Sequence, residues 1–181
     1  MHMIMAGNGG PGEVDRRGGI YALIESLGEQ CGNSERIRAA QALGESRDPR
    51  AISPLIGCLK DPDPGVRRSC AEALLRLGSI RSVGAFIERL EDREESVFTR
   101  RVAADALAKI RTYSAIECLV GRLLDREEEE AIRLHAADAL GRTGSLRAID
   151  ALEKGLSDGN SRVKEESGKA LQQIFDYGPG Q

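Results

Sequence analysis

The side chains of this 181-residue sequence that could do chemistry are few and scattered. Two histidines, His2 and His135, and four cysteines, Cys31, Cys58, Cys70 and Cys118, are the candidates for nucleophile, base or metal ligand. A nucleophile needs a base within hydrogen-bond reach, and the sequence pattern sets no serine or cysteine beside His135. The cysteines form no CxxC pair, and Cys70 stands where equivalent segments carry alanine, so reduced thiols of structural use are expected. Acid gathers at Glu91, Asp92, Glu94 and Glu95, and again at Asp125, Glu127, Glu128, Glu129 and Glu130. Neither group has the ligand spacing of a calcium loop, and acids ahead of a helix are stabilised by its macrodipole. On these grounds the chain is expected to have no catalytic centre, no cofactor and no metal site, and not to be an enzyme.

What the chain does repeat is a structural phrase. RAAQAL ends at Leu43, SCAEAL at Leu74, VAADAL at Leu107, HAADAL at Leu140 and ESGKAL at Leu171, at spacings of 31, 33, 33 and 31 residues. Between these phrases run segments such as Ile52, Leu55, Ile56, Leu59 and Ile116, Leu119, Val120, Leu123. Apolar residues at i, i+3, i+4 and i+7 share one side of a helix. A period of this length predicts stacked antiparallel helix pairs, an all-α solenoid of five hairpins with about ten helices and no sheet. Each second helix carries a small pair, Ala39-Ala40, Cys70-Ala71, Ala103-Ala104, Ala136-Ala137 or Ser167-Gly168, that lets neighbouring backbones approach.

Breakers mark the boundaries. Asp61-Pro62-Asp63-Pro64-Gly65 and Ser157-Asp158-Gly159-Asn160 separate first helices from second, while Gly78, Gly144 and Asp48-Pro49 separate repeats. Residues 1–17 are Gly-rich and expected to be disordered, 18–176 to form one domain, and 177–181 a tail. The repeats fall at about 18–46, 47–78, 79–111, 112–144 and 145–176. The last second helix turns polar at Glu165, Glu166, Lys169, Gln172 and Gln173, as a terminal capping repeat requires. A net charge of -3 provides no global field for nucleic acid or an anionic membrane, so neither is expected as a partner. The N-terminus lacks a signal-peptide pattern and no segment approaches a membrane span, so a cytoplasmic location is expected.

Phrases such as VRRSCAEALLRLGS and AISPLIGCLKDPDPGV resemble HEAT repeats, and are most similar to the subclass first described in phycobilisome lyases. The resemblance runs from about Gly19 to Phe175. It implies a right-handed superhelix with the second helices lining the concave side. It also implies a ladder of aspartates and basic residues bonded across layers, here Asp61, Arg67, Asp92, Arg100, Asp125, Arg133, Asp158 and Lys164. A ladder of that kind neutralises the basic column that Arg36 opens, which could otherwise track phosphates. The iron-dependent hydroxylase of this repeat class holds metal through His-Glu pairs, and neither histidine here precedes a glutamate.

Three columns would then face the groove. Glu72, Asp105 and Asp138 precede Arg76, Lys109 and Arg142 by four residues, the favourable order for helix ion pairs. A third column, Arg38, Ser69, Val102, His135 and Glu166, differs in every repeat, as a surface that reads a specific ligand would. The turns between repeats bring Arg47, Arg50, Arg81, Arg111 and Arg147 to one edge, opposite the acidic turns. The expected function is a non-catalytic scaffold that binds a protein or peptide along this surface, through Arg38, Glu72, Arg76, Val102, Asp105, Lys109, His135, Asp138 and Arg142. The alternative, which the resemblance implies, is an accessory subunit of a phycobilin lyase-like system that attaches or detaches a chromophore.

Overall fold

The computed structural model describes residues 14–176, and side chains from Gly19 onward. The parts of the N-terminal segment and of the tail at 1–13 and 177–181, with His2 and Tyr177, lie outside the described residues. Ten α-helices follow one another: α1 (Val14–Glu25), α2 (Asn33–Ser46), α3 (Ile52–Cys58), α4 (Pro64–Leu77), α5 (Val83–Glu91), α6 (Val97–Ile110), α7 (Tyr113–Leu124), α8 (Glu130–Thr143), α9 (Ile149–Gly155) and α10 (Ser161–Asp176). Single 3-10 turns, Pro49–Ala51, Ile80–Ser82 and Leu146–Ala148, lead into α3, α5 and α9. No strand occurs among the described residues, and the architecture is an all-α solenoid of five helix pairs. The first helix begins at Val14, four residues before the expected domain boundary.

Local chemistry explains where the helices start and stop. The Asp63 carboxylate accepts from the Val66 amide at 3.0 Å and Pro64 occupies the first turn, where its missing N–H costs nothing. Ser96 caps α6 through the Thr99 amide in the same way. Second helices end on a left-handed residue, which is Gly78 after α4 and Gly144 after α8. At the equivalent places after α2 and α6 the chain puts Arg47 and Arg111 into that conformation, at φ 54 and 59.

The core is aliphatic and continuous. Leu43, Leu74, Leu107 and Leu140 are fully buried, as are Leu55, Phe86, Leu119 and Leu152 from the first helices. The second helices pack directly on one another from repeat to repeat, and more extensively than the first helices do. Contact is tightest where glycine allows it. A Cβ at Gly44 would lie 2.8 Å from the Ala73 Cα, and one at Gly141 the same distance from the Ala170 Cα.

Candidate functional site

Arginines of the second helices organise the junctions between repeats. Arg100 is completely buried, and its guanidinium donates to both Glu128 carboxylate oxygens, at 3.0 and 2.6 Å. It also donates to the Leu90 carbonyl at 3.0 and 2.8 Å, one of the last carbonyls of α5 that the helix leaves without a partner. One side chain thus binds its own repeat's first helix to the turn of the next repeat. Arg67 grips Glu95 at 2.6 and 3.1 Å and the Asp61 carbonyl at 2.9 Å. Arg36 reaches Asp61 at 3.0 Å and the Cys31 carbonyl at 2.7 Å. Arg133 pairs with both oxygens of Asp158 and with the Leu123 carbonyl.

This geometry corrects the expected pairing at two of the four rungs. Asp92 and Asp125 do not meet Arg67 or Arg100; Glu95 and Glu128, three residues further on, take those places. The cause is the two-residue extension of these turns, which carries the equivalent aspartate away from the layer boundary. Asp92 and Asp125 keep a local task, accepting the amides of Glu94 and Glu127 at 3.0 Å each, just as Asp61 and Asp158 accept those of Asp63 and Asn160. The freed aspartates pair instead with Arg89 and with Arg93 and Arg122. Arg89 and Arg122 also reach the buried glutamates, at 3.6 and 3.0 Å. Burial works against the charge of Glu95 and Glu128. The arginines and the amides of Ser96 and Glu129 outweigh it and hold both carboxyls below the usual range. Lys164, the fifth member of the column, is exposed and has no carboxylate in ion-pair contact among the described residues.

The groove columns are also rearranged relative to expectation. Of three anticipated pairs four residues apart, Asp138 with Arg142 forms, at 2.9 Å. Glu72 bonds Arg68 one turn earlier, at 3.1 Å. Asp105 turns to the next helix, accepting from Arg142 at 2.5 Å and lying 2.9 Å from His135 Nε2. Lys109 reaches the other way and donates to the Leu75 carbonyl at 2.9 Å, near the end of α4. Side-by-side packing explains this, because a neighbouring helix then offers closer partners than the same helix does. Burial opposes the charge of Asp105, but the bonds from His135 and Arg142 prevail and keep its carboxyl below the ordinary value. Val102, expected to face a partner, is only 7% exposed and belongs to the stacking surface. Arg38 and Arg76 are exposed.

Sequence reasoning missed the most distinctive groove feature. The Arg68 guanidinium carbon sits over the Phe98 ring, 3.5 Å from its centroid, and Phe98 stays half-exposed, with exposed Arg101 on the same helix. The signal was present: Phe98 occupies a column filled elsewhere by Ser34, Gly65, Ala131 and Arg162. A cation held against an aromatic face is stabilised by the ring quadrupole and presents a planar platform. Further along, Arg162 reaches across to Glu130 at 2.6 Å, and His135, Asp138 and Lys169 share a shallow concavity with them. Among the described residues no three histidine, cysteine or carboxylate groups converge as a metal site. Burial pushes the Cys118 thiol up to about 12, which leaves it protonated at neutral pH. No helix of the described residues is long and apolar enough to cross a membrane.

Known proteins share this architecture. The structure of the complex of CpcE and CpcF of phycocyanin lyase from Nostoc sp. PCC7120 contains a chain that superposes with a TM-score of 0.68 at 24% identity, over 97% of this chain and 70% of that one. An engineered protein matches with a TM-score of 0.55 at 22% identity, over 89% of this chain and 81% of the other. In sequence, 84 residues are 36% identical to phycocyanobilin lyase subunit alpha of Synechococcus elongatus, covering 43% of this chain and 31% of the relative. The chain thus spans under a third of the curated relative it matches. The expectation that the chain is not an enzyme is corrected by this relative, since it is a named subunit of a lyase. That expectation rested on isolated side chains, and activity in a multi-subunit enzyme need not show as a triad or metal cluster in one chain. The family model for HEAT repeats matches residues 20–99 and 83–172, nearly the whole described array, and the chain belongs to the HEAT-repeat family.

Proposed function

We propose that this chain is a HEAT-repeat subunit of a bilin lyase-type system, acting together with a protein partner on a phycobiliprotein-like substrate. The observation that carries the reading is the 36% identity over 84 residues to phycocyanobilin lyase subunit alpha. A protein partner is in keeping with the structural relative, which is a complex of two lyase chains. The surface offered is the groove of the second helices. Arg38, Glu72, Arg76, Asp105, Lys109, His135, Asp138 and Arg142 contribute its mixed charge, without the buried Val102.

The groove chemistry supports this assignment. A bilin is a conjugated open-chain tetrapyrrole with flat pyrrole rings and carboxylate side chains. The Arg68–Phe98 stack supplies a flat face, and Arg101, exposed beside it, supplies a carboxylate donor. The reading is tested by incubating the chain with phycocyanobilin and a phycocyanin apoprotein, with and without a second lyase subunit. Denaturing electrophoresis then measures protein-bound bilin by fluorescence. Bilin attachment or removal above the rate without the chain is expected, reduced at least tenfold by Arg68→Glu with Phe98→Ser. Rates equal to the background in both mixtures would sink the proposal.

A further inference from the structure

The edge formed by the turns between repeats differs in kind from the groove. It carries Arg47, Arg50, Arg81, Arg111 and Arg147, all exposed. Among the described residues Asp48, on Arg50 at 2.6 Å, is the one carboxylate in ion-pair contact with any of these arginines. The same edge holds an apolar column at equivalent places of four successive repeats: Pro49, Ile80, Tyr113 and Leu146. Ile80 is 67% exposed, Tyr113 62% and Leu146 59%. Exposed apolar side chains are ordinary when scattered, but these are in register. The arginines lie along the column. Arg147 sits 5.0 Å from the Tyr113 ring centroid, Arg50 5.1 Å from that of Tyr21, and Arg81 donates to Ser53 at 2.7 Å. Arg47 and Arg111, moreover, occupy left-handed positions that Gly78 and Gly144 fill in the sister repeats, a conformation side chains disfavour.

We propose that this edge is a second docking surface, whose occupant is an extended acidic protein segment with an apolar side chain at every third position. The sign of the occupant follows from charge complementarity, because among the described residues Arg47, Arg81, Arg111 and Arg147 have no carboxylate in ion-pair contact, and a planar guanidinium binds one in two-pronged fashion. Its period follows from geometry. A polyproline II segment advances about 3.1 Å per residue and turns once in three, so every third side chain returns to one face after about 9 Å. Helices packed side by side lie roughly 8–10 Å apart. One apolar residue therefore meets each repeat, and the acids between them face the arginines. The surface lies outside the groove and does not depend on the lyase-type assignment.

The probe is a fluorescein-labelled peptide of four Leu-Glu-Pro triplets, titrated into the full chain and followed by anisotropy. Saturable binding that weakens with added salt is expected. It should fall at least tenfold when Arg50→Glu, Arg81→Glu and Arg147→Glu are combined, and likewise when Ile80→Ser, Tyr113→Ser and Leu146→Ser are combined. All six residues are exposed, so both variants should keep the parent's circular dichroism and unfolding midpoint. Glu127→Arg with Glu129→Arg, on the opposite edge, should leave binding unchanged, and a Leu-Lys-Pro peptide should not bind. The proposal is overturned by absence of saturable binding to the parent, or by binding that both edge variants retain. It is equally overturned if the peptide fails to bind while sedimentation shows self-association that the arginine variant abolishes, since the occupant is then the acidic edge of a second copy.

Discussion

The junctions of this array come in two kinds. At the outer ones, α2 on α4 and α8 on α10, the connecting turns are short and the carboxylate is an aspartate, Asp61 or Asp158. Glycine at Gly44 and Gly141 lets those helices nearly touch. At the central ones, α4 on α6 and α6 on α8, the turns are two residues longer and Glu95 and Glu128 reach in. A second arginine from the first helix joins each of them, and Leu75 and Ala108 replace the glycines. Backbone proximity and side-chain reach thus trade against each other. A longer carboxylate on a longer turn spans a junction that a bulkier helix face holds further apart.

The largest expected effect separates the two acids of one central turn. Glu128→Ala strands the fully buried Arg100 and should destabilise by about 3–5 kcal/mol in denaturant unfolding. Asp125→Ala, which removes a turn bond and partly exposed pairs, should cost about 1 kcal/mol. Equal losses would break the distinction. The pH dependence sharpens it. Because Glu128 is held below its ordinary value, its contribution is complete above the unfolded value of about 4.3 and is lost as pH falls through the lower folded one. The stability gap between the parent and Glu128→Gln should therefore narrow between pH 6 and pH 3.

Leucine between layers should not distinguish the junctions. Leu107→Ala and Leu140→Ala should each cost about 2–5 kcal/mol, since both side chains are fully buried and each leaves a cavity. A loss below about 1 kcal/mol at either would refute its place in the core. Glycine should distinguish them: Gly141→Leu, which copies the central residue into an outer junction, should cost about 1–3 kcal/mol by overpacking. The smallest effect is a gain. Arg47→Gly should raise stability by about 0.5–1 kcal/mol, because a side chain in the left-handed conformation is relieved. A null result in thermal unfolding would show that the arginine is held there without strain.

The repeat was legible because burial imposes it: small residues beneath Leu43, Leu74, Leu107 and Leu140 recur wherever one helix pair stacks on the next. The turns were less legible. Asp92 and Asp125 align with Asp61 and Asp158, and an alignment by type cannot show which acid crosses a junction once turn length changes. The shared phrase Asp-Arg-Glu-Glu in both long turns was the available clue. Groove pairing was illegible for a different reason. Partners such as Asp105 and Arg142 lie on separate helices, 37 positions apart, where rules for a single helix have no reach.

The arginine ladder has a direction. Every rung runs from a basic residue of one repeat to a carboxylate supplied by the repeat that follows in the chain. During synthesis from the N-terminus, each newly emerged repeat therefore carries an arginine without its carboxylate until its successor arrives, so stable folding should trail translation by one repeat. Loss of repeats is correspondingly lopsided. Cutting from the C-terminal end leaves an arginine without its carboxylate, whereas cutting from the N-terminal end leaves a carboxylate without its arginine. Lys164, the fifth member of the column, is exposed and is a cation that stays hydrated where the buried arginines do not.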